Sequence, residues 1–299
     1  MAYTERVVRW EKRVKIGLVG IGLDTYWPQF AGLKDKLVGY QANIEQKLQT
    51  LCMQYDMNRN RTGTVSTDAV HFAHSDLAQD SAQNAAQDSV QDFVIDAGLV
   101  DSPQKAREAA ALFQKESVDA LFIYVATYAL SHTVLPIAQA VCAPVVILNL
   151  QPGPTLDYEA FNALGDRGVM TGEWLANCQA CSVPEIASVL NVAGIKYDIV
   201  SGWLEDGEAW ARIAEWVQAL AAKEAIKNAR IGILGHYYAG MLDVYTDVTR
   251  LAAVFGSHFE LLEMDSLAAL RRKIAEDGQQ GLGKIGAKRA QFEREFDVS

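Results

Sequence analysis

Short, strongly apolar runs alternate with longer mixed segments along most of the chain. The runs are rich in Val, Ile, Leu and aromatic residues, a composition typical of strands buried within a sheet. Alternation with helical segments predicts parallel strands joined by crossover helices, and therefore a doubly wound α/β fold. The predicted strands are Lys15–Leu23, Thr64–Phe72, Ala120–Thr127, Pro144–Leu150, Lys196–Trp203, Arg230–Leu234 and His258–Met264.

The mixed segments predict helices at Trp27–Cys52, Leu130–Val141, Thr171–Asn177, Gly207–Ala225 and Gly240–Phe255. Pro28 would occupy the first turn of the earliest helix, where the N–H that proline lacks would be unpaired in any case. The stretch from Ala120 to Leu156 carries no charge and has the length of a membrane span. Its prolines divide it instead into strand, helix and strand, as expected for a sheet covered on both faces.

The length of 299 residues predicts two domains. We place a Rossmann-like α/β domain at residues 1–227 and a second α/β domain at 228–299. The second contains only two predicted strands, too few to bury a parallel sheet. Either these strands extend the first sheet or the second domain is truncated, and we favour truncation. Asp76–Asp92, biased to Ala, Gln, Asp and Ser, is predicted to be a surface helix or a disordered insertion.

Charge and composition then narrow the classes of function. Half of the residues are apolar, which excludes a fully disordered chain, and 27 basic residues against 37 acidic ones give a net charge of −10. Such a chain repels a phosphate backbone, so we expect no nucleic-acid partner. The N-terminal segment is charged and lacks the apolar stretch of a signal peptide. We therefore expect a soluble, cytoplasmic protein without a membrane partner.

Several short motifs fail to complete a known site. The glycines of Gly17-x-x-Gly20-x-Gly22 lie inside a predicted strand rather than before a helix, which argues against a nucleotide-binding turn. Cys178-Gln179-Ala180-Cys181 lacks the further ligands of a zinc site, so we expect two buried helix cysteines. None of the five histidines forms an H-x-x-x-H pair, and His236 is the best functional candidate because it follows a strand. The sequence thus predicts no complete catalytic centre and no metal site within this chain.

Aromatic and polar residues cluster where predicted strands end, the edge at which doubly wound sheets bind ligands. Rings mixed with carboxylate, hydroxyl and amide groups suit a sugar, whose C–H faces stack on rings and whose hydroxyls need directed hydrogen bonds. The alternative is that these rings merely cap the core. The residues at the strand ends are Asp24, Thr25, Tyr26, Trp27, Thr127, Tyr128, Gln151, Pro152, His236, Tyr237, Tyr238 and Met241.

Over most of residues 14–265 the chain resembles the L-arabinose isomerase / L-fucose isomerase family, in particular its arabinose isomerase-like branch. Long segments rather than a short catalytic signature carry the resemblance. They are residues 20–37 (GIGLDTYWPQFAGLKDKL), 97–110, 124–139, 147–187 (with NLQPGPTLDYEAFNALGDRG) and 235–247 (GHYYAGMLDVYTD).

The resemblance implies two Rossmann-like domains followed by a β-rich domain, in a protein considerably longer than this chain. It implies interconversion of an aldose and a ketose on a divalent metal, Mn²⁺, whose glutamate and histidine ligands would lie beyond Ser299, so that this chain alone binds no metal and is inactive. It also implies a homo-oligomer with active sites shared between subunits. The part carried over to this chain is one wall of the sugar site, formed by Leu23, Asp24, Tyr26, Trp27, Thr127, Tyr128, His236, Tyr237 and Met241.

Two other classes of function stay open at this point. A non-catalytic sugar-binding module built from two α/β domains would show the same strand-end chemistry. A nucleotide-dependent enzyme would need a phosphate-binding loop, and no G-x-x-x-x-G-K-[ST] segment occurs in the chain. The leading hypothesis is the N-terminal part of a metal-dependent sugar isomerase.

Overall fold

The computed structural model describes residues 13–62, 93–238 and 240–295. The chain divides into two compact units, one formed by Lys12–Ala221 and one that contains Ala222–Ser299. The strand predicted at Thr64–Phe72 and the biased segment Asp76–Asp92 lie outside the described residues. The predicted boundary between residues 227 and 228 stays a prediction, although the two units meet close to it in the sequence.

Five parallel strands form the sheet of the first unit, in the order β2-β1-β3-β4-β5. Every residue of β1 and β3 is buried, because helices cover both faces of the sheet. This is why the strands are continuous apolar runs in the sequence. The doubly wound, Rossmann-like α/β fold is confirmed. The strands are β1 (Ile16–Ile21), β2 (Val94–Val100), β3 (Ala120–Val125), β4 (Val145–Gln151) and β5 (Tyr197–Trp203).

Seven helices accompany the described strands of this unit. One core layer lies between the sheet and helices α1, α5 and α7. The other layer lies between the sheet and helices α2, α3 and α6. The helices are α1 (Leu33–Thr62), α2 (Pro103–Glu116), α3 (Val134–Val141), α4 (Tyr158–Ala163), α5 (Arg167–Ala176), α6 (Val183–Val192) and α7 (Gly207–Lys227).

The first helix begins later than predicted. The prediction placed its start at Trp27 with Pro28 in the first turn, but α1 begins at Leu33. Pro28 lies in a turn, and Gly32 adopts a positive φ of 77° immediately before the helix. A left-handed residue at that point prevents one continuous helix from residue 27.

The strand that pairs with β1 on its outer side, β2, was not among the predicted strands. Its register with β1 shifts between Leu18 and Gly20, so that β2 contains one extra residue at this bulge. Gly98 has a positive φ of 70° there, and its N–H donates to Oδ1 of Asp96 at 2.8 Å. The polar bulge interrupts the apolar pattern, which explains why the sequence pattern did not indicate a strand.

The second unit contains a separate parallel sheet of two strands, which do not join the five-stranded sheet. Large apolar side chains are exposed on both strands, and neither α8 nor α9 contains a buried residue. The predicted incomplete second domain stays a prediction. The elements are β6 (Arg230–Leu234), α8 (Val248–Phe255), β7 (His258–Leu262), α9 (Met264–Glu276) and α10 (Gly278–Glu295).

The helix predicted from Gly240 also begins later, at Val248. Asp247 precedes it and accepts a hydrogen bond from the N–H of Arg250 at 3.0 Å, which is the geometry of an N-cap. A short 3-10 helix, Leu242–Val244, occupies part of the segment before it. Across the described ranges, no helix combines the length and the apolar character needed to cross a membrane.

One polar residue lies within the apolar stripe of α1. The stripe that faces the sheet runs through Leu37, Gln41 and Ile44, and all three side chains are buried. Gln41 packs over Gly20 of β1 and donates a hydrogen bond to Asp96 at the bulge of β2. Burial raises the pKa of Asp96, against the opposing effect of the hydrogen bonds from Gly98 and Gln41. Gly20 thus provides the space in which Gln41 reaches the bulge.

We expect Gly20→Ala to destabilise the first unit. A methyl group at this position would overlap the buried amide oxygen of Gln41, whose side chain is held by Asp96. The cost should be about 1–3 kcal/mol, as for other overpacked cores. The free energy of unfolding from urea titration is the measurement.

Gly39→Ala is the matched control, because Gly39 is an exposed position of α1 with no atom near a new methyl group. That variant should be more stable by about 0.5–1 kcal/mol, the usual gain of alanine over glycine in a helix. Equal effects at the two positions would contradict the packing account of Gly20.

Candidate functional site

The order of the strands selects one place on the sheet edge. β1 lies between β2 and β3, and the chain winds in opposite directions on either side of the boundary between β1 and β3. The loop after β1 leads to α1 on one face, whereas the loop after β3 leads to α3 on the other face. Loops that diverge in this way leave a crevice at the carboxyl ends of the strands, where doubly wound folds bind ligands.

The loop after β1 forms one side of this crevice. It folds as a short 3-10 helix, Asp24–Tyr26, closed by hydrogen bonds from Tyr26 N to Leu23 O and from Trp27 N to Asp24 O. Asp24 is exposed, while Leu23 and Tyr26 are half-buried. The exposed carboxylate is therefore available to a ligand, with the hydroxyl of Thr25 as its neighbour at 3.3 Å.

Trp27 is anchored to the protein rather than free. Its ring packs against Gly22, where a Cβ atom would lie 3.1 Å from the indole. Its Nε1–H donates to Oδ2 of Asp101 at 2.8 Å, and Nζ of Lys34 lies 5.9 Å from the ring centroid. The indole thus fixes the loop after β1 to the end of β2, and only part of the ring faces solvent.

Asp101 is the charged residue that binds both Trp27 and Lys105. It is 4% exposed at the end of β2, and both of its oxygens accept from Nζ of Lys105, at 2.7 and 2.8 Å. Burial by itself would raise the pKa of Asp101. The hydrogen bonds from Lys105 and Trp27 outweigh burial and hold that pKa below the usual carboxyl value.

Two tyrosines follow the two strands that flank the crevice. Tyr26 follows β1, and Tyr128, which is 40% exposed, follows β3. Burial raises the pKa of Tyr26, and the neighbouring phenol of Tyr128 raises it further. Behind Tyr26 the rings of Trp27 and Phe30 lie at centroid distances of 6.5 and 6.1 Å. This arrangement offers aromatic surface on both sides of the switch between β1 and β3.

Thr127 lies next to this crevice without lining it. The residue is fully buried, and its hydroxyl donates to the carbonyl of Leu175 at 2.7 Å. The predicted role of this hydroxyl in binding a ligand stays a prediction. In the structure its hydrogen bond has a structural role. It fixes the loop after β3 to the end of α5.

The two cysteines of the C-x-x-C motif lie between helices and not within one. The expectation of two buried helix cysteines is wrong, because α5 ends at Ala176 and α6 begins only at Val183. Cys178 and Cys181 form a disulfide across the connecting turn, with a Cα–Cα distance of 5.5 Å. Cys178 is buried and Cys181 is exposed.

The predicted site residues of the second unit follow β6. His236 is 86% exposed at its side chain, and its Nε2 lies 3.9 Å from Oε2 of Glu263. The ring of Tyr237 packs on Tyr245 with centroids 4.9 Å apart, and Met241 is exposed. Their participation in a sugar site stays a prediction.

A metal cluster and a second pocket are the two alternatives to this crevice. Within residues 13–62, 93–238 and 240–295, no group of three or more His, Cys, Asp or Glu side chains could hold a metal ion. An open pocket of about 790 Å³ lies at the opposite sheet edge, where β4 and β5 begin. Its lining is mostly apolar, with Lys196 as its charged residue, so we favour the crevice between Tyr26 and Tyr128.

The sequence reasoning missed Asp101 and Lys105 because it missed β2. A local signal for the end of this strand was present. Ser102 caps α2 by accepting from Lys105 N, and Pro103 occupies the first helical position. A serine followed by proline marks a helix start, and therefore places the preceding residue at a strand end.

Comparison with known proteins does not assign the chain to a family. No protein-family model matches the chain, and no significant match was found among curated proteins.

Lys105→Met should destabilise the protein at neutral pH by about 1–3 kcal/mol, because buried Asp101 would lose a charged partner. A carboxylate whose pKa is lowered on folding stabilises the protein above its unfolded pKa, and this contribution disappears as the pH falls through the folded value. The stability gap between wild type and variant should therefore narrow below about pH 4. Urea titrations at several pH values measure it.

Arg107→Met is the control, since Arg107 is an exposed residue of the same helix and the change removes the same charge. Its effect on stability should be small at every pH. A gap for Lys105→Met that stayed constant down to pH 2 would contradict the assigned role of Asp101.

Proposed function

We propose that this chain binds a small sugar at the carboxyl edge of its five-stranded sheet, as the N-terminal part of a metal-dependent aldose–ketose isomerase. The observation that carries the proposal is the pair Tyr26 and Tyr128 on opposite sides of the switch between β1 and β3. The resemblance to the L-arabinose isomerase / L-fucose isomerase family supports the same place, because the segments 20–37 and 124–139 contain both tyrosines.

The chemistry of the crevice suits a sugar better than a nucleotide or an apolar ligand. Aromatic rings stack on the C–H faces of a sugar, and an exposed carboxylate accepts hydrogen bonds from its hydroxyls. Asp24 supplies the carboxylate, with the hydroxyl of Thr25 beside it. The acidic loop and the absence of a phosphate-binding segment in the sequence disfavour a phosphorylated ligand.

The proposed role of this chain is to bind and orient the sugar. Tyr26 and Tyr128 would hold the ring or the extended chain, and Asp24 would fix one hydroxyl. The described residues do not provide a ligand set for the Mn²⁺ that the resemblance implies. No step of the isomerisation is therefore assigned to them. We further propose a cytoplasmic homo-oligomer in which neighbouring subunits complete each site.

The second candidate function is a sugar-binding module without catalysis. The same crevice favours it, because stacking and hydrogen bonding do not require a reaction. The two functions differ in their ligands. An isomerase must bind both members of an aldose–ketose pair, so we expect measurable binding of both L-arabinose and L-ribulose, whereas a module would select one of them.

Tyr128→Ala should weaken binding of the cognate sugar by about three- to tenfold, which corresponds to the loss of roughly 1 kcal/mol of stacking. Isothermal titration calorimetry with L-arabinose, L-fucose and their ketoses gives the affinities. The thermal unfolding midpoint should change little, because the Tyr128 side chain is 40% exposed.

Tyr197→Ala is the matched control. Tyr197 begins β5 at the amino edge of the sheet and is half-buried. This variant should keep the wild-type affinity. Loss of binding in both variants, or unchanged binding in Tyr128→Ala, would contradict the location of the site.

We also expect the 299-residue chain to form no ketose when Mn²⁺ is added, even where a sugar binds, because the resemblance implies metal ligands beyond Ser299. A colorimetric ketose assay with L-arabinose and L-fucose tests this expectation. Measurable turnover would contradict it and would direct the search for ligands to His71, His74, His236 and nearby carboxylates.

A further inference from the structure

Four residues of the Tyr128 loop, residues 126–131, are hydrogen-bonded to one neighbouring segment. We call this segment, residues 175–185, the bridge segment because it connects α5 to α6. These hydrogen bonds connect the loop to the bridge segment. They are Thr127 Oγ1 to Leu175 O at 2.7 Å, Gln179 Nε2 to Ala126 O at 3.0 Å, Ala129 N to Ser182 Oγ at 3.4 Å and Ser131 N to Glu185 Oε2 at 3.1 Å.

The disulfide lies in the middle of the bridge segment. Gln179 stands between its two cysteines, is fully buried, and donates to the carbonyls of both Ala126 and Ala176. The hydroxyl of Tyr124, in β3, faces this same side chain. The covalent ring formed by residues 178–181 therefore restricts the turn that holds Gln179 against the end of β3.

The two cysteines differ in their exposure to solvent. Cys181 is exposed and lies just before α6, whereas Cys178 is buried. An exposed cysteine paired with a buried one favours attack by a small thiol at the exposed residue. The other two cysteines are unpaired. Cys52 is buried, which raises the pKa of its thiol to about 12, and Cys142 is exposed.

We propose that Cys178 and Cys181 form a reversible thiol–disulfide couple that exchanges with small thiols and dithiols, and that its redox state controls the mobility of the Tyr128 loop. Disulfides with an exposed cysteine, such as Cys181, are reduced more readily than fully buried structural ones and are usually the labile or regulatory ones. The consequence for sugar binding rests on the proposed function, whereas the exchange reaction and its effect on the loop do not.

The exchange balances in two steps. A thiolate of the dithiol attacks Sγ of Cys181, the bond between the two protein sulfurs breaks, and Cys178 leaves as a thiolate that takes up a proton. The second thiolate of the reagent then attacks the mixed disulfide and releases Cys181. The protein gains two electrons and two protons, and the dithiol is oxidised to its cyclic disulfide. A small disulfide reverses the reaction.

Reduction should loosen the Tyr128 loop. Without the ring, the turn at residues 178–181 is free to leave the conformation in which Gln179 reaches Ala126. The neighbouring hydrogen bonds from Ala129 N and Ser131 N would then open more often. Backbone amides that open more often exchange faster with deuterium, so the exchange rate reports the state of the loop directly.

The experiment incubates native protein in buffers of reduced and oxidised dithiothreitol. Alkylation with N-ethylmaleimide and mass spectrometry count the free thiols, and hydrogen exchange is followed at the amides of Ala129 and Ser131. We expect Cys178 and Cys181 to become labelled together and reversibly. We expect these amides to exchange about tenfold faster in the reduced protein.

Two variants control the result. Cys178→Ser/Cys181→Ser should show the fast exchange in every buffer, and Cys142→Ser should respond to the buffer as the wild type does. Should the double variant fail to fold, the comparison of reduced and oxidised wild type decides alone. A bridge that opens only in denaturant, or one that opens without changing the exchange at Ala129 and Ser131, would overturn the proposal.

Sugar affinity measured in the two buffers separates the two proposals. Weaker binding by the reduced protein supports both of them. Absence of sugar binding in either buffer contradicts the proposed function alone, because the thiol count and the exchange rates are measured without sugar.

Discussion

Backbone pairing of β1 on both sides is the constraint on which the first unit depends. The strand hydrogen-bonds to β2 and β3, and helices cover its two faces, so its side chains must leave room for what lies above and below. Gly17 accommodates the ring of Phe113 on one face, and Gly20 accommodates Gln41 on the other. The spacing of these glycines, which resembles a nucleotide-binding motif, is thus explained by close packing. The crevice at the end of β1 follows from the same central position, since winding reverses there.

The parts of the fold that could be predicted were those in which one physical cause dominates. Strands buried on both faces are continuous apolar runs, and β1, β3, β4 and β5 were found within a few residues for that reason. β2 was missed because its pattern contains the polar bulge at Asp96 and Gly98. The start of α1 was predicted too early because Pro28 was expected in the first turn of the helix. The left-handed conformation of Gly32 instead sets the start at the next residue.

The residues of the candidate site likewise fall into those that could be predicted from the sequence and those that could not. Tyr26 and Tyr128 could be placed at the sheet edge because they directly follow recognisable strands. Asp101 could not be placed, because its position depends on β2. The structural role of Thr127 could not be predicted either, because its hydroxyl donates to a carbonyl of α5 that is distant in the sequence. The spacing of Cys178 and Cys181 is the same in a helix, a metal site and a disulfide. Only the point at which α5 ends distinguishes these possibilities.

The bulge in β2 has a consequence for where this strand can change in length. Side chains alternate between the two faces of a strand, so a change of one residue moves every later side chain to the other face. Asp96 and Leu99 both face α1 although three positions separate them, because the bulge absorbs the extra residue, and Asp101 lies on the same face as Leu99, toward Trp27. A deletion at Ala97 or Gly98 would restore a regular ladder and leave Asp101 on its present face, whereas a deletion at Val100 would turn Asp101 away from both Trp27 and Lys105. The bulge is therefore a place at which β2 can lose a residue and keep the contacts of the carboxylate that follows it.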